Sequence, residues 1–148
     1  MSIWWSLHLR REAASVPLAR RLLVGTMETA GVDPEISYDL SVALTEACAN
    51  AVEHGGRAAS GGSEEYRVTA YLDGEKCRIE VADSGPGFSR TQEIRPARAD
   101  AEHGRGLCLI QELADHVAIG SRPSRSGGTV VSFDRVLKWR SGAPLLAV

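Results

Sequence analysis

Two alternating runs that meet at Asp73-Gly74 constrain this chain more than any other feature. Residues 66–72 and 76–82 set apolar and polar side chains in turn, the period of a strand, and Asp-Gly is a pair that closes a hairpin. Helices are predicted on both sides of this hairpin, and no βαβ unit repeats. The expected class is therefore α+β, a mixed and mostly antiparallel sheet with helices on one face.

The helices follow from spacing. Over residues 15–30, Leu18, Leu22, Leu23 and Met27 recur at helical intervals, and Gly31 follows as a C-terminal stop. Asp33-Pro34 then reads as an N-cap oxygen followed by proline at the first helical position, where a missing N–H costs nothing. The helix it starts runs to about residue 54, with Leu40, Ala43, Leu44, Ala47 and Ala51 on its core face. At 100° per residue, Glu46 and Asn50 fall together on a flank that borders the core. Residues 3–9 predict a first strand suited to a sheet edge. Residues 106–117 return to helical spacing through Leu107, Ile110, Leu113 and Ala114, and residues 117–121 and 129–136 predict a closing pair of strands. One domain over residues 1–148 is expected, with its core in about 7–136 and a tail at 138–148 that has no assigned place.

Composition narrows the function classes. A formal net charge of -2 gives no global electrostatic reason to bind nucleic acid. No uncharged apolar run reaches the roughly 18 residues of a membrane span, so no membrane partner is expected and the cytoplasm is the expected location. Cys48, Cys77 and Cys108 are odd in number, far apart and set in apolar periodic segments, which suits buried structural thiols. The four histidines show no metal-ligand spacing. His54, at the end of the second helix, suits a helix-end structural role.

Three short stretches carry possible chemistry. Glu46 and Asn50, one helical turn apart, bring a carboxylate and an amide oxygen side by side, suited to a general base and a hard-cation ligand. Asp83-Ser84-Gly85-Pro86-Gly87 follows directly on a strand, so a carboxylate sits at the strand end while Gly85 and Gly87 permit close approach of a ligand. Gly104-Arg105-Gly106 opens a helix, where free N–H groups favour an anion such as phosphate. Between the two glycine pairs, residues 88–103 lack a clear period and read as a lid. Each stretch has a plain structural alternative: a solvated helix flank, a turn, or a loop end. Their order on helix, strand and helix is specific.

In TEACANAVEHG, DSGPGF and HGRGLCLI, and more loosely from about residue 7 to 136, the chain resembles the GHKL ATPases. Within them it resembles anti-sigma-factor serine kinases of the RsbW and SpoIIAB type. The resemblance implies a Bergerat-type two-layer α/β sandwich that binds ATP with Mg²⁺. It implies that Glu46 activates an incoming hydroxyl and that Asn50 helps hold Mg²⁺. It also implies that Asp83 accepts from the adenine amino group, with Gly85 and Gly87 shaping that end and Thr129 of GGTVVSF near the adenine. Gly104 and Gly106 would meet the phosphates through their backbone, and Arg105 and Leu107 belong to the same stretch. The implied partners are a sigma factor and a STAS-type anti-sigma-factor antagonist, with a homodimer as the implied assembly. One position departs from the pattern: SpoIIAB-like kinases carry an arginine two residues before Gly104, where this chain has Glu102.

Overall fold

The computed structural model describes residues 2–54, 64–83, 102–121 and 128–146. Its elements are β1 (Ile3–Arg10), α1 (Val16–Ala30), α2 (Pro34–His54), β2 (Glu65–Leu72), β3 (Lys76–Ala82), α3 (Glu102–Leu113), β4 (His116–Ser121) and β5 (Thr129–Val136). The strands form one sheet in the order β1-β2-β3-β5-β4. Every described pairing is antiparallel. β1 is an edge strand, as its place in the chain predicts.

Alternation along the strands builds the core. Tyr66, Val68, Ala70 and Leu72 of β2, Cys77, Ile79 and Val81 of β3, and Val131 and Phe133 of β5 are buried on one face. Against them lie Leu40, Ala43, Leu44, Ala47 and Ala51 of α2, the core face predicted from spacing. Three alanines there let α2 approach the sheet closely. α1 is rotated from its leucine pattern: Ala19, Leu23, Met27 and Ala30 are buried, while Leu18 and Leu22 are 53% and 40% exposed. Small Ala19 and Ala30 extend the stripe of Leu23 and Met27, and Leu18 and Leu22 fall about a quarter turn away from it.

The caps match their sequence signals. Gly31 adopts φ 93° and donates to Met27 O at 2.9 Å, while Val32 N–H reaches the same carbonyl at 3.0 Å, which closes α1. Asp33 caps α2, its Oδ1 accepting from Glu35 N at 2.8 Å. At the hairpin tip, Asp73 Oδ1 accepts from Glu75 N and Lys76 N at 2.8 and 2.9 Å, and Asp73 N donates to Lys76 O at 3.1 Å.

Two expectations require correction. α3 spans Glu102–Leu113 rather than 106–117. Asp115 N donates to Asp134 O and the Asp115 carboxylate accepts from Val136 N, so pairing with β5 overrides the helical pattern and β4 begins at His116. The same shift puts Glu102 and His103, counted above with the lid, in the helix. Residues 84–101, which hold the rest of that lid together with Gly85 and Gly87, lie outside the described residues.

The segment after β5 is packed rather than appended. Leu137, Ala143 and Leu145 are buried. Lys138 O accepts from Asp33 N, Trp139 bridges to Val32, and Trp139 Nε1 donates to Gly74 O at 3.1 Å. It joins the corner between α1 and α2 to the hairpin tip.

Candidate functional site

Glu46 and Asn50 sit on the flank of α2 that meets α3. A methyl group at Gly106 would lie 3.0 Å from Glu46 Oε2 and 3.5 and 3.6 Å from Asn50 Nδ2 and Oδ1. The glycine leaves the Glu46 carboxylate room at this approach, and a Cβ there would press on Oε2. The carboxylate therefore stands beside the N-terminal half of α3, where backbone N–H groups and the positive end of the helix dipole face outward. Both Gly104 and Arg105 belong to this opening stretch. Leu107 is half-buried and packs on the core.

Asn50 carries an informative defect. Its Nδ2 is a buried donor with no acceptor among the described residues. Leaving such a group unpaired costs about 1–3 kcal/mol, a cost that a bound acceptor removes. A phosphate oxygen fits that donor, and Oδ1 beside it fits a hard cation.

Asp83 directly follows β3 and lies next to Thr129, the first residue of β5. Asp83 N donates to Thr129 O at 2.9 Å, and Thr129 N donates to Asp83 Oδ1 at 3.3 Å. The two residues are 8% and 5% exposed, which marks them as a held polar pair at a strand end rather than solvated turn residues. Strand register places this pair with the α2 residues. Ala82 is opposite Arg67 near the start of β2, and Arg10, at the end of β1, is opposite Glu65. The next residue, Arg11, donates from Nε to Val52 O at 3.1 Å, tying the C-terminal turn of α2 to this same end of the sheet. The topology thus gathers Glu46, Asn50, Gly106, Asp83 and Thr129 at one end of the molecule.

Other groups are structural. Burial pushes the Cys48 thiol up to about 12, with a hydrogen bond from Tyr66 acting against the rise, and burial pushes Cys77 up to about 12. Neither is a thiolate at neutral pH. Cys108 is half-buried, less enclosed than its apolar surroundings in sequence predict. The Tyr66 hydroxyl, 2.6 Å from Ser15 Oγ, closes a buried link between β2 and the start of α1.

Sequence reasoning passed over Asp39 and Arg135. They pair across 96 positions at 3.0 Å and each is about three-quarters buried. Nothing local to either residue signals the pairing.

The fold and this arrangement define a nucleotide-binding domain in which a helix flank, a helix N-terminus and a strand end converge. Residues 9–134 match the family described as the histidine kinase-like ATPase domain. The serine-protein kinase RsbW of Listeria innocua is 34% identical over 123 residues, which cover 77% of this chain and 77% of that protein. The RsbW of Bacillus subtilis is 30% identical over 124 residues, covering 78% and 74%. The chain belongs to the histidine kinase-like ATPase family and, within it, to the RsbW serine-protein kinases. A crystal structure of RsbU and RsbW domains from Mycobacterium tuberculosis shares the fold. Its TM-score is 0.64 at 24% identity, covering 90% of this chain and 33% of that one.

Proposed function

We propose that this protein is an ATP-dependent serine kinase that acts as an anti-sigma factor. It phosphorylates a STAS-type antagonist and sequesters a sigma factor, working in the cytoplasm without direct contact with nucleic acid. The single observation that carries this reading is the convergence of Glu46, Asn50 and Gly106, with a carboxylate and an amide donor that has no acceptor among the described residues, beside a helix N-terminus.

In this reading Glu46 accepts the proton of the incoming serine hydroxyl, a role worth about 10²–10⁴-fold in rate for a positioned base. Asn50 would help hold Mg²⁺, and its Nδ2 would donate to a phosphate oxygen. The ion, when bound, neutralises phosphate charge. Backbone N–H groups around Gly104, Arg105, Gly106 and Leu107 receive the phosphates. Asp83 accepts from the adenine amino group beside Thr129, with Gly85 and Gly87 at the same end. The antagonist presents its serine at this pocket, and the remaining protein contacts use surface outside it. Leu18, Leu22 and Tyr38 are exposed on the helices, and Trp4, Tyr71 and Val136 on the strands, which provides for protein partners and for a homodimer.

The deciding experiment is transfer from labelled ATP to the cognate antagonist, recovered by pull-down with and without Mg-ATP. Glu46→Gln is expected to bind ATP as the wild type does and to transfer no phosphate; unchanged transfer rejects Glu46 as the base. Glu102 favours a second reading, because it puts an acidic residue where related kinases carry a phosphate-contacting arginine. On that reading the chain is a switch that binds ATP with little or no transfer. Stable nucleotide binding without a phosphoprotein product supports the switch.

A further inference from the structure

α2 and α3 are tied together at two places. At the first, Gly106 of α3 abuts Glu46 and Asn50 of α2. At the second, Arg135 of β5 reaches between the helices. Its Nη1 donates to the carbonyl of Leu113, the last residue of α3, at 2.6 Å, and to Asp39 Oδ2 of α2 at 3.0 Å. Gly106 and Leu113 are seven residues apart, as are Asp39 and Glu46, so the two ties mark equal lengths on antiparallel helices. Each length is about 10.5 Å at 1.5 Å per residue.

Apolar packing fixes such a register less sharply than a directional bond does. Fully buried Ile110 lies between the two ties, and its attraction to the core is non-directional. A guanidinium shared by a carboxylate and a helix-terminal carbonyl is directional, and a cation at the α3 C-terminus also matches the helix dipole. The Arg135 and Asp39 side chains are only 22% and 23% exposed, which limits screening by solvent.

We propose that Arg135 and Asp39 are positioning residues for phosphate transfer, holding α3 at the axial height at which its N-terminal amides meet the phosphates beside Glu46. This rests on the reading above, in which the start of α3 receives the phosphates. It makes a prediction that a purely stabilising pair does not. The adenine end is carried by Asp83 and Thr129 on the sheet, so a slipped α3 weakens phosphate contacts and leaves adenine contacts intact.

The test is calorimetric titration of the full chain with Mg-ATP and, separately, with adenosine. The wild type is expected to bind Mg-ATP much more tightly than adenosine. Arg135→Gln is expected to reduce that preference about tenfold, with adenosine affinity unchanged. Arg135→Lys, which keeps a cation between Asp39 and the Leu113 carbonyl, is expected to restore part of it. Should Arg135→Gln fail to fold, Asp39→Ala carries the test, since alanine suits a helix interior and leaves the Arg135 contact with Leu113; a smaller loss in the same direction is expected. An unchanged preference in the folded variants, or equal proportional losses for both ligands, overturns the positioning role while leaving the kinase reading in place. A wild type with no preference for Mg-ATP over adenosine overturns the phosphate reading of α3 and the proposal with it.

Discussion

Replacing Gly106 by alanine sets two consequences of one methyl group against each other. Gly106 lies within α3, and glycine in a helix interior is about 1 kcal/mol less favourable than alanine. The new Cβ would sit 3.0 Å from Glu46 Oε2, tighter than an ordinary contact. The atom it meets is the far end of a flexible side chain, so relief needs a carboxylate shift of only a few tenths of an ångström. Glu46→Ala in the same background removes the oxygen altogether. Gly106→Ala is therefore expected to keep or raise stability, by at most about 1 kcal/mol, or roughly 2–4 °C in Tm for a chain of this size. Phosphate transfer should fall at least about tenfold, because a 1 Å misplacement of a reacting group already costs on the order of 10²-fold. Thermal unfolding followed by circular dichroism reads the first effect, and transfer of labelled phosphate to the antagonist reads the second. A variant with wild-type transfer refutes the claim that Glu46 works at the position Gly106 leaves open. A Tm lowered by several degrees refutes the claim that the carboxylate can yield.

Asp83→Asn is expected to weaken ATP binding markedly, since a charge-assisted hydrogen bond contributes about 1.5–3 kcal/mol; wild-type affinity in calorimetry would remove Asp83 from the adenine end. Gly31→Ala should destabilise the fold by about 2–4 kcal/mol in urea unfolding, combining the strain of a positive φ with overpacking. Its added Cβ would lie 2.6 Å from Ala143 Cβ, and a loss below about 1 kcal/mol would show that the C-terminal segment moves aside freely. The Asp73 carboxyl is held below its ordinary 3.8, first by the Lys76 amide and then by the Glu75 amide. A depressed pKa contributes stability that is complete above the ordinary value and is lost as pH falls through the lowered one. The gap in urea midpoint between wild type and Asp73→Asn should accordingly be wider at pH 7 than at pH 3, and a gap independent of pH would contradict that assignment.

The local elements were legible because their signals are local. Asp33-Pro34, Gly31 and Asp73-Gly74 act through backbone hydrogen bonds within a few residues, and each works where it was read. The α2 core face followed from helical period alone. Leu18 and Leu22 misled because leucine spacing does not say which of two adjacent stripes faces the sheet; Ala19 and Ala30 decide that by permitting close approach. The α3 boundary failed for a different reason. Residues 114–117 continue the helical pattern, and only the neighbouring strand, through Asp134 and Val136, makes a sheet the better partner for Asp115.

By itself the sequence determined the α+β class, the helix and hairpin boundaries set by caps and turns, and the motif order that points to a nucleotide. Tertiary structure alone decided that Gly106 abuts Glu46 and Asn50, that Asn50 has a donor with no acceptor among the described residues, and that Asp39 and Arg135 pair across 96 positions. It also decided that the C-terminal segment packs beneath the α1–α2 corner. The physical reason is range. Capping and periodicity are written within one or two turns of chain, whereas close approach, orphaned burial and distant ion pairs exist only once separate segments share the same space.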